Sequence, residues 1–229
     1  MRKVAVINAR IGSKGLVHKN LRIFEGESLL RRTLRFAAES GAFEMIIACV
    51  DSPELSIEAS TVGGVVIVNR PRELGGDDVP QLEVLKFLVS SRHICALDYI
   101  VLLQPTNLIR KFYDLSHLWD VAGVSDDVIS VSRLSFGSHT LYSQAENGEL
   151  RTMSPDGGPG NRQGKQQVFW RNGAYYGFPA SNLVEKNIII SSKPKFFEID
   201  LDRIFNVDYL SDLVAAKNAC RKNPELSAF

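Results

Sequence analysis

The sequence predicts an α/β fold built on a mostly parallel sheet, and three observations predict it. Strand-like and helix-like segments alternate through the first two thirds of the chain. Several strand segments are short continuous apolar runs, as expected where helices cover both faces of a sheet. Chain breakers and caps fall between the segments, where βαβ units need them.

Each element follows in order. Lys3 to Asn8 reads as the first strand. Ser28 to Ser40 reads as a helix, with Leu29, Leu30, Leu34, Ala37 and Ala38 on one face and Arg31, Arg35 and Glu39 on the other. Gly41 is placed to end it. Met45 to Val50 is a second strand, and Ser52-Pro53 opens a helix as N-cap and first residue. Asp51 is read as part of that cap. Val65 to Val68 is a strand, Leu82 to Ser90 a helix, Tyr99 to Leu103 a strand, Asp114 to Ala122 a helix, and Val128 to Val131 a strand. After Arg133 the rhythm breaks. Residues 134–170 are short, polar and glycine-rich, and read as an insertion within one domain spanning 1–229. Strand patterns return at Gly173 to Phe178 and Lys195 to Ile199, and Asp208 is expected to cap a last helix. "VFWRNGAYYGF" predicts a hairpin, because Asn-Gly between apolar runs is a strong turn signal.

Composition narrows the function. The 229 residues carry a net charge of +1, with 45% hydrophobic and 23% charged residues. That is ordinary for a globular protein and gives no whole-molecule field for nucleic acid or a membrane surface. The apolar runs are strand-length, far short of a membrane span. The opening "MRKVAVINAR" resembles a signal peptide, but its apolar run is short and meets Arg10. Three widely spaced cysteines form neither a disulfide framework nor a zinc pattern, so a cytoplasmic protein is expected.

Ligands of open α/β sheets sit beyond the carboxyl ends of the strands, so the residues just past each strand come first. "NARIGSKGLVHKN" follows the first strand. Met1 to Ile23 holds six Lys or Arg residues and no acid. Gly12 and Gly15 would let backbone amides turn inward as an anion nest, with Arg10, Ser13, Lys14 and Lys19 adding donors. A solvated basic loop is the alternative. Asp200 and Asp202 in "FEIDLDR" would project together, roughly 7 Å apart, if the chain were extended. They would then share a Mg²⁺ with phosphate oxygens, or else serve as turn aspartates. Gln104, ending the fourth strand, offers an amide to a base or a sugar hydroxyl. Asn172 stands as a turn residue. No nucleophile motif occurs, and the four histidines are scattered. A basic glycine loop with acids opposite suits phosphoryl-group transfer, where catalysis is mostly positioning and electrostatics.

In that order, "ARIGSKGLVHKN", "NRPREL", "LLQPT", "NRQ", "RNGAYY" and "IDLD" resemble motifs of the CMP-sialic acid synthetase (acylneuraminate cytidylyltransferase) family, over nearly the whole chain. The resemblance implies a Rossmann-like three-layer nucleotidyltransferase fold with a small dimerisation insertion at 134–170, and hence a homodimer. It implies transfer of CMP from CTP to the anomeric hydroxyl of a nonulosonic acid of sialic, legionaminic or pseudaminic type, with Mg²⁺ as cofactor. Carried over, Arg10, Ser13 and Lys19, with Lys14 and the amide of Gly15, meet the triphosphate. Asn20 and Arg70 approach ribose and cytosine. Gln104, Arg162, Gln163 and Asn172 face the sugar acid, and Asp200 and Asp202 hold the metal. Ile11 stands where the family usually has Gly. Gln81 stands where a small hydroxyl residue commonly reads the base. A nucleotidyltransferase acting on a phosphorylated acceptor, and a degenerate nucleotide-binding scaffold, are the competing readings.

Overall fold

The computed structural model describes residues 1–76, 78–153 and 167–229. The chain opens with strand β1 (Lys3–Asn8), runs through a long loop to a 3-10 turn at Lys19–Leu21, and forms a small ribbon of β2 (Ile23–Phe24) and β3 (Glu27–Ser28). Helix α1 (Leu29–Glu39) begins where the Ser28 hydroxyl accepts from Arg31 N at 3.0 Å, and it is followed by Gly41 at φ 62°. Next come β4 (Met45–Val50), α2 (Pro53–Ser60), β5 (Val65–Asn69), α3 (Gln81–Ser90), β6 (Tyr99–Leu102), α4 (Phe112–Val121) and β7 (Val128–Arg133). A separate hairpin of β8 (Tyr142–Gln144) and β9 (Leu150–Thr152) occupies the described part of the insertion. Then β10 (Phe169–Pro179), a π-helical turn at Asn182–Lys186, β11 (Lys195–Glu198), a 3-10 turn at Leu201–Arg203 and α5 (Leu210–Lys222) follow.

Among the described residues the main sheet has seven strands in the order β11-β7-β10-β6-β1-β4-β5. All neighbours are parallel except β10, which runs antiparallel to both β6 and β7. The mostly parallel sheet expected from the sequence is therefore present. Strand alternation divides the core into layers. Ala5, Ile7, Ala48 and Val101 face α1, α2 and α4 through Leu34, Leu55 and Leu118. Val4, Val6, Ile47, Cys49 and Leu102 face α3 through Val84, Leu85 and Leu88. A third cluster seats α5, by Leu213 and Ala216, against Leu16 of the first loop, Phe24 and Leu29. No helix among the described residues is long and apolar enough to cross a membrane.

Two local expectations need correction. The Asn-Gly segment does not turn a hairpin: Phe169–Pro179 is one strand, with a register shift between Arg171 and Tyr176. Gly173 takes φ 79°, the backbone form a hairpin would also need, but here it makes a bulge. Strands β6 and β7 are both available to the one segment, so pairing on two sides wins over folding back. Asp208 does not cap α5 either. Tyr209 is the N-cap residue, and Asp212 accepts from the amides of Asp208 and Tyr209, both at 2.8 Å.

Candidate active site

The first loop is anchored by hydrogen bonds that its sequence hides. Asn20 is buried and donates to the Arg10 carbonyl at 2.8 Å, drawing the end of the loop back over its start. Ile11 N donates to Asp51 at 2.8 Å, and the other Asp51 oxygen meets the Arg70 guanidinium at 3.2 Å. Asp51 therefore links the loop after β1 to the residue after β5, while Ser52 alone caps α2 by accepting from Leu55 N. Both members of the Asp51–Arg70 pair are buried, so removing one partner would leave an unpaired charge out of water.

Neither Gly12 nor Gly15 takes positive φ. Gly15 serves a different need: a Cβ there would lie 2.4 Å from the carbonyl oxygen of Asp208. The missing side chain lets the loop touch the segment before α5. That contact brings Lys19 to Asp208, 2.8 Å from nitrogen to oxygen.

These elements enclose a cavity of about 350 Å³ at the carboxyl ends of β1 and β6. Arg10, Gly12, Ser13, Lys19 and Asn20 line one side, Arg70, Gln81 and Val84 another, and Asn8, Leu102 and Gln104 are also in its wall, with Asp208 at its edge. Of the residues singled out from sequence, Arg10, Ser13, Lys19, Asn20, Arg70, Gln81 and Gln104 thus share one cavity. Lys14 is exposed, 3.9 Å from Asp78.

A second cavity of about 430 Å³ adjoins the first and shares Gln81, Leu102 and Gln104 with it. Its other lining residues are Leu82, Arg171, Tyr176 and Ile188 to Ile190. Gln104 is held from behind. Arg110 donates to the Gln104 carbonyl at 2.6 Å and also to the carbonyls of Asn107 and Ala174. Burial lowers the Arg110 guanidinium to about 10, so it remains cationic at neutral pH.

Several expected site residues lie elsewhere. Asp200 and Asp202 line neither cavity. The chain after β11 does not stay extended: Asp200 heads the 3-10 turn and Asp202 lies inside it, and both are exposed. Arg203 is drawn inward to Asp114 at 2.6 Å, and the turn carries the two acids outward. Asn172 is fully buried. Its amide oxygen accepts from Ser130 at 2.6 Å and Ala174 N at 3.1 Å, and its nitrogen donates to Ser132 at 3.0 Å. Both lone pairs of the amide oxygen and one of its two N–H donors are spent holding the bulge. Arg162 and Gln163 lie outside the described residues.

Sequence reasoning missed Asp208, Asn8 and Arg171. Asp208 follows "FNV" much as Asp200 follows "FEI", and only contact with Gly15 and Lys19 separates them. Arg171 sits one residue before the bulge, in a motif read for its Asn-Gly.

Comparison with known proteins agrees with this geometry. The cytidylyltransferase family model matches residues 4–133, more than half of the chain. The N-acylneuraminate cytidylyltransferase of Streptococcus agalactiae serotype V is 26% identical over 223 residues, covering 93% of this chain and 52% of the relative. The chain thus spans about half the length of that relative. The CMP-N,N'-diacetyllegionaminic acid synthase of Legionella pneumophila is 33% identical over 138 residues, covering 59% of this chain and 60% of the relative. Among solved structures, CMP:2-keto-3-deoxy-manno-octonic acid synthetase complexed with CTP superposes with a TM-score of 0.69 at 16% identity, covering 97% of this chain and 99% of that one. That likeness shows a shared fold. The family match spans β1 to β7, among them β1, β5 and β6, whose exits line the first cavity, and the chain belongs to the cytidylyltransferase family.

Proposed function

We propose that the protein transfers CMP from CTP to the anomeric hydroxyl of an acidic nonulosonic sugar and releases pyrophosphate. One observation carries the reading: a cavity walled by Arg10, Lys19 and Arg70 opens, through Gln81 and Gln104, onto a second cavity bearing Arg171. CTP occupies the first, with its phosphates toward Arg10, Ser13 and Lys19. The acceptor occupies the second, with its carboxylate toward Arg171, a cation whose planar fork suits that group. The sialic and legionaminic relatives support this acceptor class.

The chemistry is a direct displacement. The anomeric oxygen forms a bond to the α-phosphorus as the bond to the bridging oxygen breaks. Pyrophosphate leaves with that electron pair, and the hydroxyl proton passes to solvent. Arg10 and Lys19 meet the charge growing on the leaving group. Gln104, fixed by Arg110, orients the acceptor between the cavities.

In this reading Asp208 is the carboxylate that would hold a Mg²⁺. It edges the phosphate side of the cavity, and its side chain is open to the cavity's solvent. Among the described residues no three acids, histidines or cysteines cluster as a metal cage. Mg²⁺ commonly needs only one or two carboxylates with phosphate oxygens and water, so the single acid fits. Bound there, the ion would neutralise phosphate charge.

Pyrophosphate release tests the reading. With CTP it is expected for nonulosonic acids and absent for sugar 1-phosphates or polyol phosphates. The opposite pattern would identify a nucleotidyltransferase for phosphorylated acceptors. A homodimer formed through residues 134–170 belongs to the same proposal. Phe136, Tyr142, Leu150, Met153 and Trp170 are exposed on the described part of that segment and the start of β10. Light scattering is expected to give the mass of two chains, and the mass of one would refute this part.

A further inference from the structure

On the α3 side of the sheet, β1 presents Val4, Val6 and then Asn8. Val4 and Val6 lie in an apolar layer with Cys49, Val84 and Leu102. Asn8 continues that row at the strand's end, pairs in register with Cys49, and lines the first cavity, as Val84 and Leu102 do. Its amide nitrogen and amide oxygen are both shut off from solvent, and neither has a hydrogen-bond partner among the described residues. A donor and an acceptor buried together without partners cost stability, and a valine would extend the row without that cost. Nothing in the fold uses the amide, yet the residue lines a ligand cavity, and a rotation of its unpartnered side chain would bring the amide to a ligand there.

We propose that Asn8 reads the base of the nucleotide. A carboxamide sets one donor beside one acceptor in a plane, which matches the amino group and ring nitrogen on the pairing edge of cytosine. Asn and Gln make the same two-point contact with the amino and ring-nitrogen edge of adenine in DNA. The apolar side chains of Val84 and Leu102 line the same cavity and suit the faces of a flat ring. Arg10 and Lys19 line the same cavity for the phosphates. Because no protein partner fixes the amide, it is free to flip. Uracil, which exchanges the donor and the acceptor, would then be held at Asn8 as well. Selection of cytosine over uracil therefore falls to Gln81 and Arg70, and Asn8 supplies affinity for the pyrimidine edge.

This inference rests on the nucleotide reading of the cavity, and the experiment separates the two. Calorimetric titrations of CTP, UTP and inorganic tripolyphosphate, each with Mg²⁺, are made on the wild-type protein, Asn8→Val and Asn8→Ala, with melting curves. Asn8→Val is expected to weaken CTP and UTP at least tenfold each, to leave tripolyphosphate within twofold, and to melt no lower than wild type. The alanine variant gives the same ligand pattern should valine crowd Val84. Unchanged CTP affinity in a folded variant overturns the base assignment alone. Equal losses for CTP and tripolyphosphate also overturn it, since Asn8 would then support the phosphate loop. A wild-type protein that binds no CTP overturns the functional reading, and this inference with it.

Discussion

Asp208→Asn is expected to lower kcat for pyrophosphate release by about two to three orders of magnitude, the scale of losing one preorganised electrostatic contact in a transition state. Asp200→Asn and Asp202→Asn are expected to leave turnover near normal. The substitution at 208 keeps size and polarity and removes one negative charge. That charge lies where the phosphates would bring several more, so its place is tenable only if it recruits a cation. Lys19, 2.8 Å away, balances it in the protein alone. In the proposed reaction Lys19 would turn its charge to the phosphates of CTP, and Asp208 would be free to hold a metal ion. The amide cannot replace the carboxylate in that role. The fold hardly depends on the pair, because the Asp208 side chain is 68% exposed and such pairs contribute about 0–1 kcal/mol. Melting temperature and kcat measured on the three variants decide the matter. Full activity in Asp208→Asn would remove the metal assignment, and a large loss in Asp200→Asn would return it to the 3-10 turn.

The contrast between those acids shows how far the sequence reaches. Strands β1, β4, β5, β6 and β7 are legible because apolar runs, caps and Gly41 are local signals. The basic loop is legible because charge and glycine concentrate within a few residues. The acid facing it is not. "EIDLD" and "NVDYLSD" offer similar carboxylates in similar surroundings. The choice is made by a backbone contact between Gly15 and Asp208, residues nearly two hundred positions apart in the chain. Asn172 fails for a related reason. An Asn-Gly pair reports that the backbone needs positive φ, and both a turn and a bulge need it. Only the pairing of β10 with β6 and β7 together decides, and pairing is a property of the whole sheet. Asn8 escaped notice because a polar residue ending a strand is ordinary. Its significance appears only when both amide atoms prove buried without a partner.

Asp114→Ala is expected to destabilise the protein by about 3–5 kcal/mol, the cost of breaking a buried charge pair from one side. Asp114 is 1% exposed. A single oxygen, Oδ2, accepts from Arg203 at 2.6 Å, from the Tyr175 hydroxyl at 3.1 Å and from the Lys111 amide at 2.9 Å. It therefore ties the start of α4, the centre of β10 and the turn after β11 to one point. Burial, and then the nearby Asp114 charge, push the Tyr175 phenol well above its ordinary range, so it stays protonated and keeps donating. Removing the carboxylate leaves the Arg203 guanidinium and the Tyr175 hydroxyl buried without their acceptor. Tyr175→Phe, which deletes only one donor and leaves the ion pair, is expected to cost about 1 kcal/mol. The difference between the two variants isolates the charged part of the network. The effect reaches the site through neighbours. Tyr175 lies under the Arg110 guanidinium, 5.7 Å from ring centre to carbon, and Arg110 holds the Gln104 carbonyl between the two cavities. Asp114→Ala is thus expected to raise the KM for the acceptor while it lowers the urea midpoint, whereas Asp200→Asn should do neither. A loss below about 1 kcal/mol in urea unfolding would show that water or a rearranged Arg203 takes over the carboxylate's role. The turn after β11 would then hold its place without the buried pair.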